Sequence, residues 1–349
     1  MSTASGTSNP EYVVARVRAR KAALFGDDDY RKLVRMGPAE IARQMEESTY
    51  EDEINALGAR YSGVDLVEYA LNRDLAGQFD DVLGWTEGRL YDLIARYLRK
   101  FDAWNVKTVI RGLYSNVDRE TVEADLIRAG EFSDRQVDRL LNAGSIEGVV
   151  EVLDGTLYGG PLADALEEYE DAGVLVPLEN AVDRAYYEQL LADLVVDEAT
   201  EVYREFVTAE IDFRNARNAL RLARSGADLD PAAYYIDGGR LFSASELSAL
   251  SESRDELLAR IRDSVYGDEL DNALTVVEET ESLIGFERAL ETALQSYADR
   301  LGVVHPLSVT PVVSYILAKE REVDNIRAIA RGREAGLSPE RIEAELVVL

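Results

Sequence analysis

The side chains best suited to chemistry in this 349-residue chain are few and scattered. One histidine, His305, stands beside Pro306 in a loop context, where a lone imidazole is more often structural than catalytic. There is no cysteine, so disulfides, thiolate nucleophiles and zinc sites built from several His or Cys ligands are out of reach. Carboxylates abound, yet Asp27-Asp28-Asp29 and Glu278-Glu279 sit in charged surroundings. They lack calcium-loop spacing and the apolar pocket that raises a carboxyl pKa, and they read as solvated faces. No phosphate-cradling loop, dinucleotide glycine fingerprint or nucleophile elbow is present. Gly238-Gly239, after Tyr235-Ile236-Asp237, reads as a turn before the next helix. No catalytic, cofactor-binding or metal-ligating residue is therefore assigned, and no cofactor is expected.

What the chain has instead is a repeat. An acid, two variable residues, Asn, an apolar residue, a base, a variable residue, two apolar residues and Arg occur in that order three times. The copies are Asp102, Asn105, Val106, Lys107, Val109, Ile110, Arg111; then Asp212, Asn215, Ala216, Arg217, Ala219, Leu220, Arg221; then Glu322, Asn325, Ile326, Arg327, Ile329, Ala330, Arg331. The asparagines are 110 residues apart. A second marker, Glu-x-Ala-aliphatic-polar, starts at Glu68, Glu179 and Glu287, and a third, a tyrosine between helical stretches, falls at Tyr50, Tyr158 and Tyr266. Asp118 to Leu126 lies as far beyond Arg111 as Ser338 to Leu346 lies beyond Arg331, so the chain reads as stopping partway through a fourth cycle.

The elements that carry these markers are predicted to be helices. Leu90, Leu93, Ile94, Tyr97, Leu98 and Phe101 follow the 3.6 period, and strand alternation is scarce. Breakers fall at Gly26, Gly63, Gly112, Gly155, Gly238 and Gly332, and Ser338-Pro339 reads as a cap followed by Pro at a first helical position. On a helical wheel Asp102, Asn105, Val106, Val109 and Ile110 share one face while Lys107 and Arg111 lie opposite. The repeated Asn is thus expected half-buried, bonding backbone or the acid three residues before it. The like-charged bases four residues apart need acids from elsewhere.

Formal charge is −29, and only Lys21, Lys32, Lys100, Lys107 and Lys319 are lysines. An acidic, lysine-poor surface suits a salt-rich cytoplasm, because molar salt shortens the Debye length to about 3 Å and relieves carboxylate repulsion. Nucleic acid is not expected as a partner, since phosphate neutralisation needs a basic face. No apolar run approaches the roughly 18 residues of a membrane span; Val303 to Ala318 is interrupted by His305, Pro306 and Pro311. Residues 1–10 read as a short flexible polar lead rather than a signal peptide.

The segment from Pro311 through Tyr315, Lys319, Glu320, Glu322, Asn325, Arg327 and Arg331 to Gly332 resembles the C-terminal signature of the C subunit of archaeal A-type and bacterial V-type ATP synthases, related to the d subunit of eukaryotic V-type ATPases. Supporting stretches are Trp104-Asn105 through Arg111-Gly112, Glu179 through Arg184 with Tyr186-Tyr187, and Tyr12 to Val17, so the likeness covers the chain from about residue 10. The resemblance implies an all-α fold of three pseudo-symmetric helical repeats of about 110 residues, closed into a funnel-like ring. Repeat-wise division puts these at 11–115, 116–225 and 226–349, with the C-terminal helices packing on the N-terminal segment. It further implies a non-catalytic coupling subunit on the cytoplasmic face of the membrane, with the coiled-coil subunit of the central stalk and the proteolipid rotor ring as partners. A soluble helical-repeat scaffold for peptides is the alternative, and the long repeat argues against it, since solenoid units run about 20 to 50 residues.

Overall fold

The computed structural model describes residues 8–195, 197–225, 234–250, 253–280, 283–343 and 346. The polar lead up to residue 7, and residues 229–233 of the acidic stretch before Gly239, lie outside them. Among the described residues every regular element is a helix. The chain runs through α1 (Pro10–Lys21), α2 (Asp27–Leu33), α3 (Pro38–Glu46), α4 (Glu51–Leu57), α5 (Gly63–Trp85), α6 (Gly88–Leu98) and α7 (Lys100–Tyr114). Next come α8 (Arg119–Ala124), α9 (Asp134–Leu141), α10 (Ile146–Val152), α11 (Gly159–Ala172), α12 (Val176–Leu191) and α13 (Glu198–Ser225). The last six are α14 (Ala244–Leu250), α15 (Arg254–Arg262), α16 (Gly267–Thr280), α17 (Leu283–Val304), α18 (Thr310–Glu334) and α19 (Pro339–Glu343).

The chain divides into two compact units, one formed by residues 1–152 with 311–349 and the other by residues 153–310. In the first, α18 is packed into the N-terminal helices. Its apolar face, with Val312, Ile316, Ile326 and Ile329 all at 0% exposure, joins Val13, Leu33, Ile41, Val67 and Phe79 in one core. Each such side chain contributes on the order of 1.5–3 kcal/mol when fully buried. Polar ties fix the register: Lys21 Nζ donates to Ser314 Oγ (2.7 Å), Tyr315 OH to Gln78 Oε1 (2.9 Å), and Arg333 Nε to the Met36 carbonyl (3.0 Å). The second unit has its own core, in which Leu162, Leu178, Val182, Phe206, Ile211, Leu257, Leu270 and Leu274 are buried.

Local rules explain where the helices start and how closely they approach. Three short helices, α2, α9 and α14, begin with a reach-back bond, in which the third helical residue accepts from the backbone N–H of the cap. Gly26 N donates to Asp29, Ser133 N to Gln136 and Ser243 N to Glu246. The Arg-Gly that ends the motif in the first and third copies has a steric cause. A Cβ at Gly112 would collide with Val122 of α8, and one at Gly332 would lie 2.9 Å from Ile342 of α19, so the glycine lets the succeeding short helix fold back onto the motif helix.

Candidate functional site

The repeated acid, Asn, Tyr and Arg converge on one kind of node, seen in both units. Asn105 on α7 is 1% exposed; its Nδ2 donates to the Ile127 carbonyl (2.8 Å) and its Oδ1 accepts from Ile127 N (2.9 Å). Asn215 on α13 repeats this with Ile236, at 2.9 Å each way. The side-chain amide therefore acts as a substitute peptide group, satisfying both polar groups of a buried residue in the strap that follows the motif helix. The structure thus selects backbone over the neighbouring acid as the partner of these two asparagines.

The acid holds the same strap a few residues on. Asp102 accepts from Glu131 N (2.8 Å) and Phe132 N (3.0 Å), and Asp212 accepts from Arg240 N (2.7 Å) and Leu241 N (2.8 Å). Gly130 and Gly239 come just before these donors, and a Cβ at either would strike the carboxylate. Gly239, which the sequence marks as a turn glycine, is therefore also a close-approach glycine. Burial pushes the Asp102 carboxyl up to about 6, against the lowering effect of its two N–H donors. Asp212 is raised for the same reason.

The third node is assembled from the two ends of the first unit. Glu322 on α18 accepts from Phe25 N (2.6 Å) and from the Tyr50 hydroxyl (2.6 Å). Leu24, not glycine, precedes the donor here, and the acid is one methylene longer; the longer reach leaves room for a side chain on the strap. Asn325, 3% exposed, reaches the Tyr30 phenol. Beside Glu322 lies a fully buried charge, where the equivalent positions of the other two nodes carry the partly exposed Arg99 and an alanine, Ala209. Lys319, 1% exposed, bridges Asp74 Oδ2 (2.7 Å) and Glu322 Oε1 (2.7 Å), donates to Tyr50 OH (2.9 Å), and stands 4.1 Å from the centre of the Tyr50 ring. Burial first, and then the negative charges of Glu322 and Asp74, hold the Tyr50 phenol well above its ordinary range.

Each repeated tyrosine is set by a hydroxyl two residues earlier. Ser48, Thr156 and Ser264 each donate to a carbonyl three residues back, at 2.6, 2.7 and 2.7 Å, and each accepts from the backbone N–H of Tyr50, Tyr158 or Tyr266. Sequence reasoning passes over this Ser/Thr-x-Tyr corner, although the pair stands at the same spacing in all three repeats. In the second unit the Tyr266 phenol lies against Asp212; burial first and then that charge raise its pKa.

The two remaining markers prove to be complements. Arg331 of α18 is paired with Glu68 of α5 through both Nε and Nη2, and Arg327 Nη2 donates to Asn72 Oδ1 (2.5 Å) one turn further along α5. Glu68 is the chief reason the Arg331 pKa is raised. In the second unit Arg221 of α13 meets Glu287 of α17 at 2.5 Å. In these two copies the acid that the last Arg of the motif requires is thus supplied by the Glu-x-Ala marker. The cost of the clustered bases is visible at Arg217, which is lowered to about 10, by Arg214 first, then by burial and Arg221.

These nodes join side chains to backbone and to each other. Among the described residues no group of three or more His, Cys, Asp or Glu could hold a metal ion, and no helix is long and apolar enough to cross a membrane.

Residues 13–345 match the family model for the ATP synthase (C/AC39) subunit. The chain is 74% identical to the A-type ATP synthase C subunit of Haloferax volcanii over the full length of both. It is 70% identical to that of Haloquadratum walsbyi, over 97% of this chain and 99% of the relative. It is 35% identical to that of Methanococcoides burtonii, over 98% and 95%. With a family model spanning nearly its whole length and full-length relatives at this identity, the chain belongs to the ATP synthase (C/AC39) subunit family.

Proposed function

We propose that this chain is the non-catalytic coupling subunit of a proton-translocating A-type ATP synthase, joining the membrane rotor ring to the central shaft and passing torque between them. The observation that carries the reading is the full-length match to chains named as the C subunit of A-type ATP synthases. In this reading the repeats at 11–115, 116–225 and 226–349 form three similar lobes around a central cavity, on the cytoplasmic face of the membrane, and the foot of the coiled-coil stalk enters that cavity. The nodes support such a role physically. A part that transmits torque must not yield between its helices, and buried polar networks impose one register and resist slippage better than apolar packing alone. The test is to tag the chain in its own cell and purify it from gently solubilised membranes. Rotary-complex subunits should accompany it in fixed stoichiometry, and the isolated chain should show no micromolar affinity for ATP with magnesium by calorimetry. A chain recovered alone from the soluble fraction would overturn the reading.

A further inference from the structure

The five most exposed large apolar side chains among the described residues are Val265 (82%), Val303 (78%), Val195 (65%), Val304 (63%) and Leu307 (53%), and all belong to the second unit. Its long helices bring them to one end. α17 runs antiparallel to α13, since Arg221 of α13 pairs with Glu287 near the start of α17 while Tyr297 OH, further along α17, donates to Glu205 Oε1 (3.0 Å). It also runs antiparallel to α16, whose third residue, Glu269, pairs with Arg300. Val303 and Val304 on the last turn of α17, and Leu307 just past it, therefore stand at the same end as Val265 before α16 and Val195 before α13. Three of the five fall within Leu301 to Ala318, the longest run of this chain without an Asp, Glu, Lys or Arg. The corners at Val265 and Leu307 also use up their own polar groups. Ser264 Oγ donates to the Ile261 carbonyl (2.7 Å) and accepts from Tyr266 N (3.2 Å). Ser308 Oγ does the same with the His305 carbonyl (2.8 Å) and Thr310 N (3.2 Å), His305 N donates to the Leu301 carbonyl (2.7 Å), and Pro306 has no N–H.

We propose that this end of the second unit dips into a lipid surface, with Val303, Val304 and Leu307 reaching the acyl chains just below the headgroups; the inference rests on the membrane-side placement in the reading above. Area argues for lipid over a polypeptide. Side chains of this number and size offer a few hundred Å² of apolar surface, enough for shallow insertion and short of the roughly 800 Å² that each partner gives to a stable protein interface. The closed corners argue the same way, because backbone that approaches hydrocarbon must find its hydrogen bonds within the chain. Charge says which force holds the contact. Asp193, Asp197, Asp263 and Asp268 are exposed around the valines, on a chain of net −29, so anionic headgroups would repel this end in dilute buffer. Molar salt confines that repulsion to about 3 Å and does not screen apolar transfer, so the uncharged tip is the part of so acidic a chain that can enter.

The chain has no cysteine, so Val304→Cys in the full-length protein takes a single environment-sensitive NBD fluorophore. Val174→Cys, at a residue 42% exposed, is the comparison: α12 runs antiparallel to α13, with Asp183 near Arg214 (3.6 Å) and Tyr187 bonded to Glu210 (3.2 Å), which puts Val174 at the opposite end of the unit. The vesicles are phosphatidylglycerol doped with phosphatidylcholine that bears a nitroxide on its acyl chain. In molar salt the first label should shift to the blue and be quenched, and the second should do neither. Binding should strengthen from low to molar salt, the reverse of charge-driven adsorption. Leu307→Glu should weaken it by about tenfold or more with helicity and melting temperature unchanged. A first label that keeps its aqueous emission, equal quenching of both labels, or binding that falls with salt would overturn the proposal. So would a first label that, in the assembled membrane complex, shifts to the blue without quenching by lipid-borne nitroxide, since a polypeptide would then cover this end. Absence of the labelled chain from that complex would instead count against the coupling-subunit reading, and the vesicle result would decide the lipid contact by itself.

Discussion

At the scale of single residues, three acids at equivalent positions do one job in two ways. Asp102 and Asp212 grip the strap through paired backbone N–H donors, with glycine beside them, and Glu322 reaches further and takes one backbone N–H and a phenol. Asp102 is the acid with a consequence for pH. Its carboxyl titrates from 3.8 in an unperturbed setting and at about 6 in the folded chain, so between those values the folded state holds a proton that the unfolded state has released. The stability this contributes is complete below the unfolded pKa and is lost as pH rises through the folded one, an effect of about 3 kcal/mol at most. Asp102→Asn cannot titrate. Measured by urea unfolding in constant high salt, wild type should lose stability relative to this variant as pH is raised from 4 to 7. A gap between the two that does not change with pH would show that Asp102 is ionised throughout.

At the scale of elements, α18 is the piece that ties the first unit together, and Lys319 is its most costly residue to bury. Its charge is balanced by Asp74 and Glu322, so removing it would strand two carboxylates in the core. Lys319→Met should destabilise the first unit by about 3–5 kcal/mol. Tyr50→Phe, which removes one hydroxyl from the same cluster, should cost about 1.5–3 kcal/mol. Because the groups touch, the double variant should cost less than the sum, read from denaturant midpoints; simple additivity would show that the cluster is not one unit. How much of this is legible in the sequence follows from what repeats. The helices, the Asn-bearing motif and the Glu-x-Ala marker all announce themselves by phase, and the like-charged bases announce a need for acids. That Arg331 meets Glu68 and Arg221 meets Glu287 does not follow, because phase gives equivalence between copies and says nothing about contact. The Lys319 cluster is less legible still. It occurs once, so no repeat marks it, and its bond from Tyr50 to Glu322 spans 272 residues. Its one signal is compositional: Lys319 is among only five lysines in a chain that otherwise uses arginine.

At the scale of the whole molecule, a net charge of −29 sets the conditions in which the nodes can hold. The excess carboxylates repel one another in dilute buffer, and salt screens them, so the melting temperature should climb from low to molar salt; a flat profile would remove the argument for adaptation to salt. The same charge makes internal ties matter more, and the strongest test of them is to delete residues 311–349. That deletion removes Val312, Ile316, Ile326 and Ile329 from the core of the first unit and strips Asp74, Glu68, Asn72 and Tyr50 of their α18 partners. The helices of residues 27–57 would then lose Glu322 and Asn325, the acid and Asn of the third node that hold Tyr50 and Tyr30. Residues 153–310 form the other compact unit, with a core of their own. Hydrogen exchange in molar salt should therefore show protection lost across residues 27–85 and kept in α12, α13 and α17, and binding to the stalk subunit should be abolished. Native protection across residues 27–85 in the truncated chain would mean that the N-terminal helices are held by something other than α18. Loss of protection in both units together would mean that they fold as a single cooperative body, and the nodes would then have to be weighed as one network.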